Sequence, residues 1–467
     1  CGIVGIKGQP VLCQCDLSGG LPQFDIVGLP DASVKEARDR VRAAVKNCGF
    51  NFPQRRITVN LAPGDLKKEG PVYDLPMLVG LLCASGQLPP PPADAGFLGE
   101  LTLEGRLQPA SGVLPMAMAA REAGLTALFV PAENAAEASV CQGLTVYPVR
   151  DVAQLTRHLE GAELIQPEPP FQFHTVRPDS LDFADVMGQE SVKRALEIAA
   201  AGSHHILMIG PPGSGKSMLA KRLPSILPDL TLEESLESSK VYSVAGLLGR
   251  HQPMLQARPF RSPHHTVSAV GMAGGGAGRT RPGEISLSHN GVLFLDELPE
   301  FRRDVIETLR QPLEDGQVTV SRISGSCTYP SRFMLVCAMN PCRCGYFGHP
   351  SGRCTCSEQS IRNYRKKISG PMLDRIDLHI NVPSVPYEQL KDRKPAESSE
   401  RIRERVNLAR DFQKRRYAGT GVYCNAQLLP GMMRDCCPLT EEARLLMEGA
   451  FDRLGLSARS YDRILKV

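Results

Sequence analysis

Between residues 56 and 61 apolar and polar side chains alternate. Arg56-Ile57-Thr58-Val59-Asn60-Leu61 puts Ile57, Val59 and Leu61 on one face of a strand. Helix-like apolar spacing flanks it near Val34–Val45 and Leu75–Ala84. From about residue 181 the pattern changes. Short unbroken apolar runs, His205–Ile209, Gly291–Leu295 and Phe333–Ala338, read as buried strands separated by helical stretches, the pattern of a parallel α/β domain. From about 384 a polar stretch gives way to helices. Between the first two regions Gln166–Ser180 is polar and Pro-rich and reads as a linker. The chain therefore divides into 1–165, a linker 166–180, 181–383, and a helical section 384–467.

Composition narrows the class. A chain of 467 residues is too long for one ordinary core, and no apolar run is long enough to span a bilayer as a helix. No signal-peptide pattern follows Cys1, so a cytoplasmic location is expected, and the 15 cysteines point to reduced thiols or a metal site rather than a disulfide framework. Cys1 stands where an initiator Met is expected, and the chain stops inside a helical pattern. It therefore reads as a fragment with a truncated C-terminal section. The net charge of +4 leaves any contact with DNA to local patches.

The sharpest chemical signal follows the strand His205–Ile209. Gly210-Pro211-Pro212-Gly213-Ser214-Gly215-Lys216-Ser217 matches G-x-x-x-x-G-K-[ST] and leads into an apolar helix. Glycines let backbone N–H groups curl round phosphate oxygens, and the helix N-terminus adds its positive dipole end. Lys216 would reach the β- and γ-phosphates of ATP and Ser217 would ligate Mg²⁺. Hydrolysis needs more, and Asp296 and Glu297 supply it at the exit end of the strand Gly291–Leu295, where open α/β sheets bind ligands. Asp296 would hold Mg²⁺ through water, and Glu297 would orient and deprotonate the attacking water. Asn340, at the end of the strand Phe333–Ala338, would help position that water.

Two further segments carry chemistry. Cys342-Arg343-Cys344 and Cys354-Thr355-Cys356 form two C-x-C pairs on a Gly- and Pro-containing loop, 341–357. Four thiolates suit a tetrahedral Zn²⁺; free thiols and His349 as a substitute ligand are the alternatives. The stretch Arg401–Tyr417 carries seven basic and two acidic residues, with Ile402, Val406 and Ala409 at helical spacing. Its cationic face is either a phosphate-binding surface or simply a solvated one.

Several motifs resemble a known class. The phosphate loop, Asp296-Glu297 and Asn340, with Asp185-Val186-Met187-Gly188-Gln189-Glu190 before them, look like an AAA+ ATPase core. Leu373-Asp374-Arg375-Ile376-Asp377 resembles the arginine finger of the Mg-chelatase and replicative-helicase branch. Ser457-Ala458-Arg459 resembles that branch's sensor 2 at the start of a lid helix, with Arg463 a competitor for the role. Leu313–Val320 resembles the entry to its pre-sensor hairpin. More narrowly, Gly28-Leu29-Pro30-Asp31, Arg261-Ser262-Pro263-His264-His265-Thr266, Arg281-Pro282-Gly283-Glu284-Ile285-Ser286 and the Cys-rich loop are similar to the ComM/YifB family of Mg-chelatase-like ATPases.

This resemblance implies an α/β protein with an AAA+ core and a helical lid, assembled as a ring, usually hexameric. Arg375 would act in the neighbour's site and Arg459 in its own. The ring would act on branched or single-stranded DNA, by branch migration in natural transformation or recombination, with the 318–324 hairpin and Arg322 beside the DNA. The alternative is a motor that remodels a protein partner. Residues 1–165 resemble the α+β proteolytic domain of Lon, but Val72 stands where its Ser belongs and Leu114 where its Lys belongs. No Ser–Lys dyad is therefore expected.

Overall fold

A computed structural model describes residues 1–177, 181–249, 252–276, 280–322, 325–385 and 396–467. The linker's last three residues, the hairpin tip at 323–324 and the side chain of Arg322 lie outside that description.

The first section is built on two three-stranded sheets. In the first, Arg56–Ala62 is the central strand, antiparallel to Leu12–Ser18 and parallel to Gln23–Val27. The alternating Ile57, Val59 and Leu61 are buried in a core shared with helices Ala32–Asn47 and Asp74–Ala84. Asp31 starts the first helix by accepting the Val34 N–H at 2.8 Å, which satisfies one of the donors a helix N-terminus leaves free. The second sheet has Ala127–Pro131 between Ala95–Phe97 and Thr145–Val149, all parallel.

The middle section holds a five-stranded parallel sheet in the order Phe260–Arg261, Val292–Leu295, Met334–Met339, Ile206–Ile209, Leu378–Asn381. Its unbroken apolar runs have a physical cause: both faces are covered. Ile206, Met208, Phe294 and Val336 meet residues of helices Glu190–Gly202, Lys216–Arg222 and Ser399–Arg416 on one side. Leu207, Leu293, Leu295 and Cys337 meet Val305, Ile306, Ile368 and Met372 on the other. Parallel strands bring all their C-terminal ends to one edge, so the phosphate loop, Asp296 and Asn340 converge without any long-range design.

The first section docks on the second. Leu114, in helix Val113–Glu122, is fully buried with Val140 and Met254, flanked by Phe171, Phe173 and Leu236. Glu137 beside it accepts from Leu114 N–H at 2.9 Å and from the hydroxyl of Ser243, and the Gly112 N–H donates to Ser243 O at 2.8 Å. The linker runs in this seam, with backbone bonds from Glu168 to Val146, Phe171 to Ser139 and Val176 to Gln256. Its two phenylalanines make it a packed strap where its composition predicts only a spacer.

Helix Ser399–Arg416 buries Ile402 and Val406 in the middle core. Much of its cationic face is used as an anchor: Arg405 pairs with Glu197 at 2.7 Å, Arg403 donates to Ser225 O, and Arg410 to Ala200 O and Ser203 Oγ. Helices Glu441–Leu454 and Ala458–Lys466 follow. Among the described residues no helix is long and apolar enough to cross a membrane.

Candidate nucleotide site

Strand Ile206–Ile209 ends at Gly210, where a Cβ would meet the Val382 carbonyl oxygen at 2.2 Å, so only glycine lets the chain turn there. Gly213 and Gly215 take φ of +75° and +88°, the left-handed region that favours glycine. The loop opens into helix Lys216–Arg222, whose first N–H groups have no intrahelical carbonyl to bond and point at the turn. Lys216 is 8% exposed. Its Nζ donates to Gly210 O and Pro211 O, both at 2.8 Å, and to Asn340 Oδ1 at 3.3 Å. Burial pulls its pKa below the usual lysine value, opposed by the nearby Asp296 and Glu297 carboxylates.

Ser217 Oγ donates to Asp296 Oδ2 at 2.6 Å. The hydroxyl and the carboxylate are hard oxygen donors of the kind Mg²⁺ takes directly or through its bound waters. Glu297 adopts φ of +53°, a left-handed conformation that costs a side-chain-bearing residue on the order of 1 kcal/mol and turns its carboxylate to solvent. Asn340 follows strand Met334–Met339, next to the phosphate-loop strand. The structure thus brings together Lys216, Ser217, Asp296 and Asn340, with Glu297 next in the chain. A further neighbour is His265, whose Nδ1 lies 4.0 Å from Glu297 Oε2. It belongs to the stretch Arg261–Thr266 that carries the family resemblance, where the sequence alone assigns it no role at the site.

The arginines lie elsewhere. Asp377, just before strand Leu378–Asn381, accepts the His205 N–H at 3.2 Å and pairs with Arg463 at 3.5 Å. This is the entry end of the sheet. Gly210 is at the exit end, about 16 Å away at roughly 3.3 Å per residue. Arg375 and Arg459 both donate to Glu314, Arg459 at 3.0 Å. Arg459, expected at its own chain's nucleotide, is held by Glu314 at the entry end, and Arg463 by Asp377. The reason is the path of helix Ser399–Arg416. It begins beside Ser225 and ends beside Ala201, where Gln413 donates to the Ala201 carbonyl, and so delivers the C-terminal helices to the sheet's entry end.

The Cys-rich loop packs on the phosphate loop: a Cβ on Gly345 would meet Pro212 Cδ at 2.6 Å. The sulfurs of Cys342, Cys344, Cys354 and Cys356 all lie within 4.8 Å of one another. The backbone N–H of Tyr346 and the neighbouring Cys342 thiol pull Cys344 down to about 6. The donor set and spacing fit one tetrahedral Zn²⁺. His349 instead bonds Ser351 and Ser384.

A parallel sheet in this strand order, with a phosphate loop and paired acidic residues at its exit edge, defines a P-loop nucleotide-binding protein of the α/β class. Residues 182–390 match the family profile "Magnesium chelatase, subunit ChlI", residues 13–134 "Subunit ChlI of Mg-chelatase" and residues 396–467 "Magnesium chelatase, subunit ChlI C-terminal". The YifB protein of Escherichia coli is 44% identical over 466 residues, covering 99% of this chain and 90% of that protein. The competence protein ComM of Haemophilus influenzae is 42% identical over 482 residues, covering 99% and 91%. A Lon protease of Mycolicibacterium smegmatis is 31% identical over 166 residues, covering 33% of this chain and 21% of that protein. The chain belongs to the ComM/YifB family of Mg-chelatase-like proteins.

Proposed function

We propose that the protein is an ATP-hydrolysing ring motor that acts on DNA, in branch migration or a related helicase reaction during recombination or natural transformation. The observation that carries the reading is the division of the catalytic groups between two ends of one sheet. Lys216, Ser217, Asp296, Glu297 and Asn340 serve a nucleotide at the exit end, while Arg375 and Arg459 are held on Glu314 near the Arg463–Asp377 pair at the entry end. A closed ring of head-to-tail copies brings one protomer's arginines to the next protomer's phosphates.

In that arrangement Lys216 and the loop N–H groups hold the β- and γ-phosphates. Ser217, and Asp296 through water, would hold Mg²⁺, which would supply positive charge to the phosphates. Glu297 accepts a proton from the attacking water, Asn340 orients that water, and Arg375 of the adjacent copy offsets charge on the transferred phosphoryl group. The four cysteines would hold Zn²⁺ and so brace the phosphate loop from outside.

DNA as the substrate rests on the kinship with ComM, a competence protein by name, and on local charge. Arg401, Lys414, Arg415 and Arg416 remain exposed after the rest of their helix is anchored. The first section is a scaffold without peptidase activity: Val72 and Leu114 offer neither a hydroxyl nor an amine. The test is ATP hydrolysis with and without branched DNA at two salt concentrations. Stimulation that weakens as salt rises supports the reading. No stimulation at either salt shifts the assignment to a motor that remodels a protein.

A further inference from the structure

Glu314 has no role in any of the motifs that define the nucleotide site. It lies in the short helix Arg310–Asp315, directly before the hairpin strand Gln317–Arg322. Yet one of its carboxylate oxygens, Oε1, receives two guanidinium groups from different parts of the fold: Nη2 of Arg375, beyond helix Gly370–Leu373, and Nη2 of Arg459, in helix Ala458–Lys466. Arg463 is also near, held by Asp377. Three cations in so small a space repel, and a cation pair carried on separate elements drifts apart unless an anion sits between them. Glu314 is that anion for Arg375 and Arg459.

The surroundings fit a pair prepared for an external anion. The Arg375 side chain is 10% exposed, while Arg459 and Glu314 are 52% and 44% exposed, so the cluster opens to the surface at Glu314. Arg375 Nη1 is pinned on the Pro371 carbonyl at 2.6 Å, and its Nε is buried without an acceptor.

We propose that Glu314 is a positioning residue that aligns Arg375 and Arg459 as one unit for the phosphates bound by the adjacent copy. This rests on the ring reading above. Glu314 touches no nucleotide in its own chain; it sets the spacing of the two groups that do so in the next. Guanidinium forks need a fixed geometry to stabilise a transferring phosphoryl group, so loss of the spacer lowers the rate more than it lowers nucleotide affinity.

The experiment uses the full chain. Glu314→Gln keeps the shape and removes the charge. The expected result is a fall in kcat of roughly ten-fold with KM changed less than about two-fold. In the Arg375→Ala/Arg459→Ala background the same substitution lowers the rate no further, because the groups it aligns are gone. In rings mixed with Glu297→Gln subunits, whose sites are dead but whose arginines are aligned, the rate per Glu314→Gln site recovers towards wild type. An unchanged single variant, an additive effect in the background, or no recovery in mixed rings each overturns the proposal. If Arg375→Ala itself leaves hydrolysis unchanged, the shared-site reading falls instead, and the two failures are distinct.

Discussion

Replacing Lys216 by alanine removes an ammonium group that the fold has desolvated and surrounded by oxygen atoms. In the protein alone those oxygens are the Gly210 and Pro211 carbonyls, at 2.8 Å, and Asn340 Oδ1, at 3.3 Å. With ATP the same group faces phosphate oxygens. Each charge-assisted bond contributes about 1.5–3 kcal/mol. Two of them give about 3–6 kcal/mol, a loss in ATP affinity of roughly 10²- to 10⁴-fold. The free protein responds differently. Two carbonyls lose a partner, at about 1–3 kcal/mol for a buried one, but a desolvated charge disappears and water can replace it beside the half-exposed Pro211. The melting temperature should therefore move by only a few degrees while binding collapses. Titration with a fluorescent ATP analogue, set beside a circular-dichroism melt, reads both. Affinity within about three-fold of wild type would refute the assignment of Lys216 to the phosphates. A large fall in melting temperature would show that the lysine acts mainly as a structural clamp for its own loop.

Glu297→Gln keeps the shape of the group but cannot take a proton, so it should bind ATP normally and hydrolyse it at least 100-fold more slowly; a variant at more than a tenth of the wild-type rate would move the base elsewhere. Elemental analysis of chelator-washed protein should find about one Zn²⁺ per chain, and less than about half an equivalent would count against the four-cysteine site. Burial raises the Glu137 carboxyl above its ordinary 4.5. Between the unfolded and the raised folded value the native state holds a proton that the unfolded chain has lost, so stability falls as pH rises through that window. Glu137→Gln should flatten this part of the stability profile measured by urea unfolding, and an unaltered slope would show that Glu137 does not cause it.

The parts of the fold legible beforehand are those governed by short-range physics. Ile57, Val59 and Leu61 alternate because one face of their strand is covered, and the runs around Leu207, Phe294 and Val336 are unbroken because both faces are. The phosphate loop is legible because few residue types allow its turns. Less visible is what depends on where distant segments end up. Arg401–Arg416 reads as a cationic face, yet Arg403, Arg405 and Arg410 are spent on backbone carbonyls and on Glu197 and Ser203. Spacing alone cannot tell a solvated arginine from an anchoring one. Arg459 belongs to the same class of difficulty: its motif is local, but its position follows from the direction of the helix before it. The parallel sheet of Ala127–Pro131 was hidden because its strands are short and lie far apart in the chain.

Leu114 ties the first section to the second. It is fully buried against Val140, Met254 and the linker phenylalanines. A lysine at this position would bring an ammonium group into an apolar seam, at a cost of several kcal/mol. The charge would loosen the docking of one section on the other. The seam therefore limits what residue 114 can be: an amine is tolerated there only if the interface opens to give it water or a partner.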